Sequence, residues 1–164
     1  MSMEEKQCRR AVFPGSFDPF TQGHANVVER GLELFDEVVI AVGYNINKPG
    51  WIPVDERVQA LRSFYAQCGR VQVVKHDGLT VELAQKLGAG HILRGVRSVQ
   101  DYAYELQMAD VNRQLTGIDT VVLFARPELA SLSSSVVREL QHFGHDITPF
   151  LPQGKEKCTH SKDK

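Results

Sequence analysis

Strand-like and helix-like segments alternate along this sequence, and few folds accommodate such an order. Five short runs rich in valine and isoleucine begin at Ala11, Glu37, Val71, His91 and Asp119. Each run is nearly continuous in apolar residues, which is typical of strands that are covered on both faces. The runs therefore predict the buried strands of a parallel sheet.

Segments with a helical period separate these runs. Residues 25–35 carry apolar side chains at i, i+4 and i+7, and residues 54–65 repeat the pattern. A third helix is expected after Thr80, with that threonine as its N-cap, and a fourth over 102–115. The serines before Val136 are expected to begin a fifth helix.

The order of these segments predicts the fold class. Alternating strands and helices favour a single Rossmann-like α/β domain, in which an open parallel sheet of about five strands carries helices on both faces. The 164 residues suit one domain over 1–164. We expect its core to span about 8–152, with a frayed N-terminus and a polar C-terminal tail from Gln153.

Composition narrows the classes of function. The formal net charge is −1, with 42% hydrophobic residues, which gives no reason to expect binding to nucleic acid or to a membrane. The three cysteines, Cys8, Cys68 and Cys158, form no CxxC pair, so we expect reduced thiols. Because no signal peptide or membrane span is recognisable, a cytoplasmic location is expected.

The stretch PGSFDPFTQGH, residues 14–24, lies between the first strand and the first helix. Gly15 permits a close turn, Asp18-Pro19 a rigid one, and Thr21 can cap the helix. Free amides at a helix N-terminus favour an anion, and His24 lies in the first turn, where its ring could reach that anion. The junction therefore predicts a phosphate site, at the sheet edge where parallel folds bind ligands.

The motif GSFDPFTQGH resembles the amino-terminal signature of the nucleotidyltransferase superfamily. Three later segments, NKPGW, ILRGVRSVQDYAYELQMADVNRQL and SLSSSVVREL, resemble the bacterial adenylyltransferases of that superfamily whose acceptor is 4'-phosphopantetheine. The similarity keeps the order and spacing of the segments and covers nearly the whole chain. It implies transfer of the adenylyl group of ATP to that acceptor, giving 3'-dephospho-coenzyme A and pyrophosphate.

The resemblance also implies a role for individual residues. His24 would stabilise charge on the α-phosphate as a hydrogen-bond donor and would be the catalytic residue. The residues implied to bind phosphopantetheine are Ser16, Lys48, Thr80 and Arg94. Those implied to bind ATP are Ser16, Phe17, His24, Gly95, Val96, Arg97, Glu105, Leu129, Ala130, Ser131, Leu132, Ser133, Ser134 and Ser135.

Cofactor and partners follow from the same resemblance. Mg²⁺ is expected to arrive with ATP and to be held by phosphates and water, because it gives up its water reluctantly and the histidines show no ligand spacing. No protein ligand is assigned to the metal. The resemblance further implies a homohexamer and inhibition by coenzyme A.

Two alternatives stay open at this point. One keeps the fold but changes the acceptor, as in a nicotinamide-mononucleotide adenylyltransferase or a cytidylyltransferase. The other is a catalytically silent protein that binds coenzyme A or a nucleotide. A dinucleotide-dependent dehydrogenase is disfavoured, because no GxGxxG follows the first strand, and the sequence holds no P-loop either.

Overall fold

The computed structural model describes residues 8–47, 49–156 and 158. These residues form five strands and five α-helices in strict alternation, which confirms the predicted α/β order. The strands are β1 (Arg10–Gly15), β2 (Glu37–Gly43), β3 (Val71–His76), β4 (His91–Val96) and β5 (Asp119–Phe124). The helices are α1 (Gln22–Leu34), α2 (Val54–Phe64), α3 (Thr80–Lys86), α4 (Val99–Thr116) and α5 (Ser134–His142).

The five strands make one open sheet in the order β3-β2-β1-β4-β5, and every neighbouring pair is parallel. The chain first builds outward from β1 to β3 and then crosses to the other side of β1. The point where the strand order reverses therefore lies between β1 and β4, and folds of this kind bind their ligands there.

Two apolar clusters cover the two faces of the sheet. Val38, Ile40 and Val42 of β2 pack with residues of α1 and α2, whereas Val39 and Ala41 of the same strand pack with residues of α3. Successive side chains of a strand point to opposite faces, so a strand that is apolar at every position is buried on both. The prediction of helices on both faces is confirmed.

The expected N-cap of α3 is wrong. Leu79 occupies the cap position, without a side-chain hydrogen bond, and Thr80 is the first residue of the helix. The threonine side chain is therefore not used to cap the helix, although its backbone still opens it.

The expectation for the cysteines also needs correction. Cys68 and Cys158 form a disulfide, so reduced thiols were the wrong expectation for this pair, whereas Cys8 is free and exposed. The amide of Glu156 donates to the carbonyl of Phe64 at 2.8 Å. The described part of the tail, 153–156 and 158, is thus attached to α2 and the turn after it. Spacing could not reveal the disulfide, because its cysteines are 90 residues apart in sequence.

No helix within the described ranges is both long and apolar enough to cross a membrane.

Candidate active site

A cleft opens between β1 and β4 at the carboxyl end of the sheet. β1 pairs with β2 over six residues, but it pairs with β4 only through Ala11 and Val12. Beyond these pairs the two strands diverge, and one guanidinium nitrogen of Arg94 donates to the carbonyl of Pro14 at 2.6 Å. The diverging strands expose backbone and charged side chains at the predicted switch point.

His24 is held in place at the start of α1 by a capping box. The Thr21 hydroxyl accepts from the His24 amide at 3.4 Å, and the Nδ1 atom of His24 accepts from the Thr21 amide at 3.0 Å. Since Nδ1 accepts a backbone N–H, the proton of the neutral ring lies on Nε2. The predicted cap at Thr21 is confirmed, and Nε2 remains as a donor.

Three phenylalanine rings surround the imidazole. The ring of His24 stacks on Phe20 at a centroid distance of 5.4 Å and meets Phe17 edge-on at 5.1 Å, with Phe13 at 6.4 Å. Burial among these rings, together with the positive charges of Arg97 and Arg94, lowers the pKa of His24 from 6.5 to about 4. The ring is therefore neutral at physiological pH.

The first cavity, of about 340 Å³, lies beside this ring. It brings together twelve of the residues that the sequence assigned to ATP: Ser16, Phe17, His24, Gly95, Val96, Arg97, Glu105, Leu129, Leu132, Ser133, Ser134 and Ser135. Ala130 and Ser131 belong to the same turn before α5 but do not line the cavity.

A second cavity, of about 330 Å³, adjoins the first. All five strands contribute to its walls, and α3 and α4 close it. Thr80 and Arg94, two of the residues implied to bind the acceptor, both line it. Ser16 lines only the first cavity, and Lys48 lies outside the described residues. Pro14, Gly15, Arg94 and Glu105 border both cavities.

Arg94 and Glu105 form a close ion pair at this boundary. The Nε and Nη2 atoms of Arg94 donate to one carboxylate oxygen of Glu105 at 2.9 and 2.6 Å. Glu105 is only 6% exposed and is the one buried residue of α4. The carboxylate of Glu105 therefore fixes the orientation of the Arg94 guanidinium. The sequence analysis did not predict this ion pair.

Arg97 links the β4 end to the loop before α5. Its guanidinium donates to the carbonyl of Leu132 at 3.2 Å and pairs with Asp101 at 3.3 Å. Ser133 caps α5 by accepting from the amide of Val136 at 3.2 Å, and the first turn of that helix faces the cavity. The helix start thus offers free amides where an anion would lie.

Two arginines that the sequence analysis missed hold the first loop in position. Arg57 is 6% exposed and donates to the carbonyls of Ser16, Gly43 and Ile52. Arg57 falls three residues after Val54 and four before Leu61, on the apolar face of α2. A charge on that face was the sequence feature that could have indicated a buried arginine.

Arg138 donates to the carbonyl of Asp18 at 2.5 Å and to the Ser135 hydroxyl at 3.1 Å. Arg138 lines the first cavity and lies one helical turn after Ser134. Because residues four apart share a helix face, this spacing could have indicated Arg138 as a further cavity residue. The Ser134 hydroxyl donates to the carbonyl of Pro19 at 2.7 Å. Hydrogen bonds therefore join the loop after β1 to the first turns of α5.

The charge of the first cavity suits a polyphosphate. Four arginines line it, against two carboxylates, and each carboxylate is paired with an arginine. Its arginines are Arg94, Arg97, Arg126 and Arg138. Preorganised donors and positive charge at such a cleft can bind phosphate groups and stabilise negative charge that develops during phosphoryl or nucleotidyl transfer.

A doubly wound sheet with an anion cavity at its switch point defines a nucleotide-binding α/β protein. The family model described as cytidylyltransferase-like matches residues 12–140. The protein named phosphopantetheine adenylyltransferase from Phocaeicola vulgatus is 52% identical over 89% of this chain and 97% of its own length. The chain belongs to the cytidylyltransferase-like family of nucleotidyltransferases, within the group of the phosphopantetheine adenylyltransferases.

Further relatives agree with this assignment. The protein of the same name from Bacteroides fragilis is 49% identical over 90% of this chain and 99% of its own length. Among solved structures, a putative nicotinate-nucleotide adenylyltransferase from Vibrio parahaemolyticus has a TM-score of 0.61 at 20% identity, covering 89% of this chain and 88% of that one. That structural likeness confirms the fold alone. The resemblance inferred from the sequence motifs is confirmed by the sequence relatives.

Proposed function

We propose that this chain transfers the adenylyl group of ATP to 4'-phosphopantetheine, with 3'-dephospho-coenzyme A and pyrophosphate as products. The observation that carries the proposal is the pair of cavities that meet at Arg94 and Glu105. Two anionic reactants can occupy adjoining spaces there, with a fixed cation at the boundary. Relatives at 47–52% identity carry the corresponding name.

The acceptor would lie in the second cavity, with its phosphate at Arg94 and its arm extending past Thr80. ATP would lie in the first cavity, with its α-phosphate toward the boundary. An oxygen of the acceptor phosphate then attacks the α-phosphorus in line, and pyrophosphate leaves from the opposite side. Holding both reactants in this geometry and collecting donors around the phosphorus lowers the barrier.

His24 would donate from Nε2 to the α-phosphate. The ring suits this task, because Nδ1 accepts from the Thr21 amide and the N–H at Nε2 is thereby held in one direction. Ser16 would contact both substrates through its hydroxyl, and Arg57 keeps the carbonyl of that residue in place. Lys48 would add a mobile positive charge to the acceptor phosphate, next to the planar fork of Arg94.

The remaining ATP contacts divide between two elements. Gly95, Val96 and Arg97 at the end of β4 would form the nucleotide-binding turn. The segment Leu129–Ser135 would bind the triphosphate through hydroxyls and the free amides at the start of α5. Glu105 would contact ATP from α4, and its ion pair would hold the Arg94 guanidinium in one orientation.

Mg²⁺ would enter with ATP. Within the described ranges no group of three histidine, cysteine, aspartate or glutamate side chains could hold a metal ion. The carboxylates of Asp101 and Glu105, which line the first cavity, are both engaged by arginines. These residues do not form a resident metal site, so we assign the ion to the phosphates and water and route no step through a protein ligand.

We also propose a cytoplasmic homohexamer that coenzyme A inhibits. Helix α4 supports the assembly, because it has one buried residue among its 18 and exposes apolar side chains that include Val99, Val111 and Leu115. Exposed apolar surface of this extent is typical of an interface. Coenzyme A joins an adenine nucleotide to the pantetheine arm and would therefore occupy both cavities.

Pyrophosphate release in a substrate screen tests the function. We expect turnover with ATP and 4'-phosphopantetheine, and none with nicotinamide mononucleotide, nicotinate mononucleotide or choline phosphate. Turnover with a mononucleotide alone would show that the acceptor is wrong. Calorimetric binding of both proposed substrates without any turnover would favour the silent binding protein.

Replacement of His24 tests the proposed mechanism. We expect His24→Ala to lower kcat by about 10²–10³, the usual cost of one lost donor to a developing anion. KM for phosphopantetheine should stay within a few-fold, because the acceptor cavity is not lined by His24. His142→Ala, at an exposed site at the end of α5, is the control. Near-normal turnover of His24→Ala would remove the ring from the mechanism.

A further inference from the structure

Two buried polar atoms lack a hydrogen-bond partner, and both belong to the second cavity. Among the residues that the structure describes, only Nε2 of His76 and Oγ1 of Thr120 are buried side-chain nitrogen or oxygen atoms without a partner. Both residues line the cavity that contains Arg94 and Thr80. Neither was among the residues that the motifs indicated.

An unpaired buried polar group costs folding free energy, so native proteins leave few of them. Two such groups in the walls of one cavity are polar atoms with which a molecule bound there can form hydrogen bonds.

The two groups lie on opposite edge strands of the sheet. His76 ends β3, and Thr120 lies near the start of β5. With strands spaced about 4.8 Å apart, the four intervals between β3 and β5 correspond to about 19 Å across the sheet. A ligand that satisfies both groups is therefore elongated and carries polar groups at separate points.

Thr120 lies close to Arg94. It pairs with Ile92 on the neighbouring strand, two residues before Arg94, and residues i and i+2 of a strand share a face. Ile92 and Arg94 both line the cavity. Thr120 therefore lies on the same face of the sheet as Arg94, two residues further from the carboxyl ends of the strands.

Gly78 lies close against the ring of His76. A Cβ atom at this glycine would lie 3.3 Å from Cε1 and 3.8 Å from Nε2 of His76. Gly78 also lines the cavity, and the turn 77–79 is exposed. The edge of the imidazole that carries Nε2 therefore lies beside Gly78, a residue that also lines the cavity.

We infer that His76 and Thr120 determine specificity for the arm of the acceptor, each by a hydrogen bond to one of its polar groups. An imidazole nitrogen and a threonine hydroxyl can each donate or accept, so both suit the amides and the hydroxyl of a pantetheine arm. The inference rests on the proposed function and adds two subsites to it.

Steady-state kinetics of His76→Phe and Thr120→Val tests this assignment. Each change removes the polar atom and keeps most of the volume. We expect KM for 4'-phosphopantetheine to rise about 5- to 100-fold in each variant, the range for a buried group left without its hydrogen bond. KM for ATP and kcat should change less than twofold, and His142→Phe serves as the matched exposed control.

A second acceptor separates recognition from a structural effect. An alkyl phosphate monoester with a saturated arm of similar length offers no amide, so each variant should use it as well as the wild-type chain does. His76→Gln, which restores a polar atom near the position of Nε2, should recover most of the affinity for phosphopantetheine.

Unchanged KM for phosphopantetheine in both variants, while the wild-type chain turns over normally, would overturn the inference alone. An equal loss with the alkyl phosphate would also overturn it, since the effect would then be structural. Absence of turnover by the wild-type chain would overturn the proposed function and this inference with it.

Discussion

At the scale of single residues, the surroundings of His24 keep its ring neutral. The two ring nitrogens are used differently, because Nδ1 caps α1 through Thr21 and Nε2 is left to donate. Aromatic burial, assisted by Arg97 and Arg94, keeps the ring uncharged by lowering its pKa to about 4. The two arginines, which we propose bind phosphate, thereby also favour the neutral ring.

The depressed pKa of His24 predicts a pH dependence of stability. The unfolded chain binds a proton at His24 near pH 6.5, whereas the folded chain does so only near pH 4. Stability from the neutral ring is therefore complete above about pH 6.5 and is lost as the pH falls through that window. At about 1.4 kcal/mol per unit of pKa, the free energy of unfolding should fall by up to a few kcal/mol.

Urea denaturation of the wild-type chain and of His24→Asn between pH 7.5 and 4 measures this effect. Asn keeps a polar side chain at N3 but does not titrate, so its unfolding free energy should decline less over the same range. Parallel pH curves for the two proteins would contradict the assigned pKa.

The sequence indicated most of the residues that line the first cavity, since they lie in contiguous motifs at strand ends. It did not indicate Arg57, because a helical wheel shows only that a charge falls on an apolar face. Nor could it reveal that the buried guanidinium finds three backbone carbonyls from separate loops. The pairing of Arg94 with Glu105 likewise required the packing of α4 against β4.

At the scale of elements, α1 approaches the sheet so closely that one position tolerates no side chain. A Cβ atom at Gly31 would lie 2.5 Å from Cδ2 of Leu93, a fully buried residue of β4. We expect Gly31→Ala to lower the free energy of unfolding by about 1–3 kcal/mol through overpacking, even though alanine is the better helix former.

Chemical denaturation of Gly31→Ala against Gly69→Ala measures this cost. A Cβ atom at Gly69 would meet nothing within 4 Å, so the second variant should be close to neutral. Equal stability of the two variants would show that α1 can move away from β4 without loss.

Element order and type were predictable, because runs of valine and isoleucine alternate with a helical period. The ends of elements were less so. The predicted cap at Thr21 is confirmed by its bond to His24, but the one expected at Thr80 is wrong, because the backbone of Leu79 takes the cap position. In sequence, a threonine at the first helical position cannot be told apart from a threonine at the N-cap position just before it.

At the scale of the whole molecule, the exposed apolar residues of α4 predict assembly. We expect light scattering to give six copies for the wild-type chain and a smaller mass for Val111→Lys/Leu115→Lys, since charges at these exposed positions oppose an apolar interface. Circular dichroism should be unchanged, because neither side chain is buried in the monomer.

Ile46→Lys, at a loop residue that is 86% exposed, is the control and should keep the mass of the wild type. A monomeric wild-type chain at micromolar concentration would contradict the hexamer. Six copies in the double variant would place the interface elsewhere.

The sequence by itself determined the α/β class, the order of strands and helices and the motifs that identify the family, because these depend on local periodicity and contiguous residues. Tertiary structure alone decided which distant groups meet: the Cys68–Cys158 disulfide, the Arg94–Glu105 pair and, among the described residues, the two unpaired atoms of the second cavity. The physical reason is that such contacts depend on the crossing of strands and helices far apart in the chain, which no local pattern records.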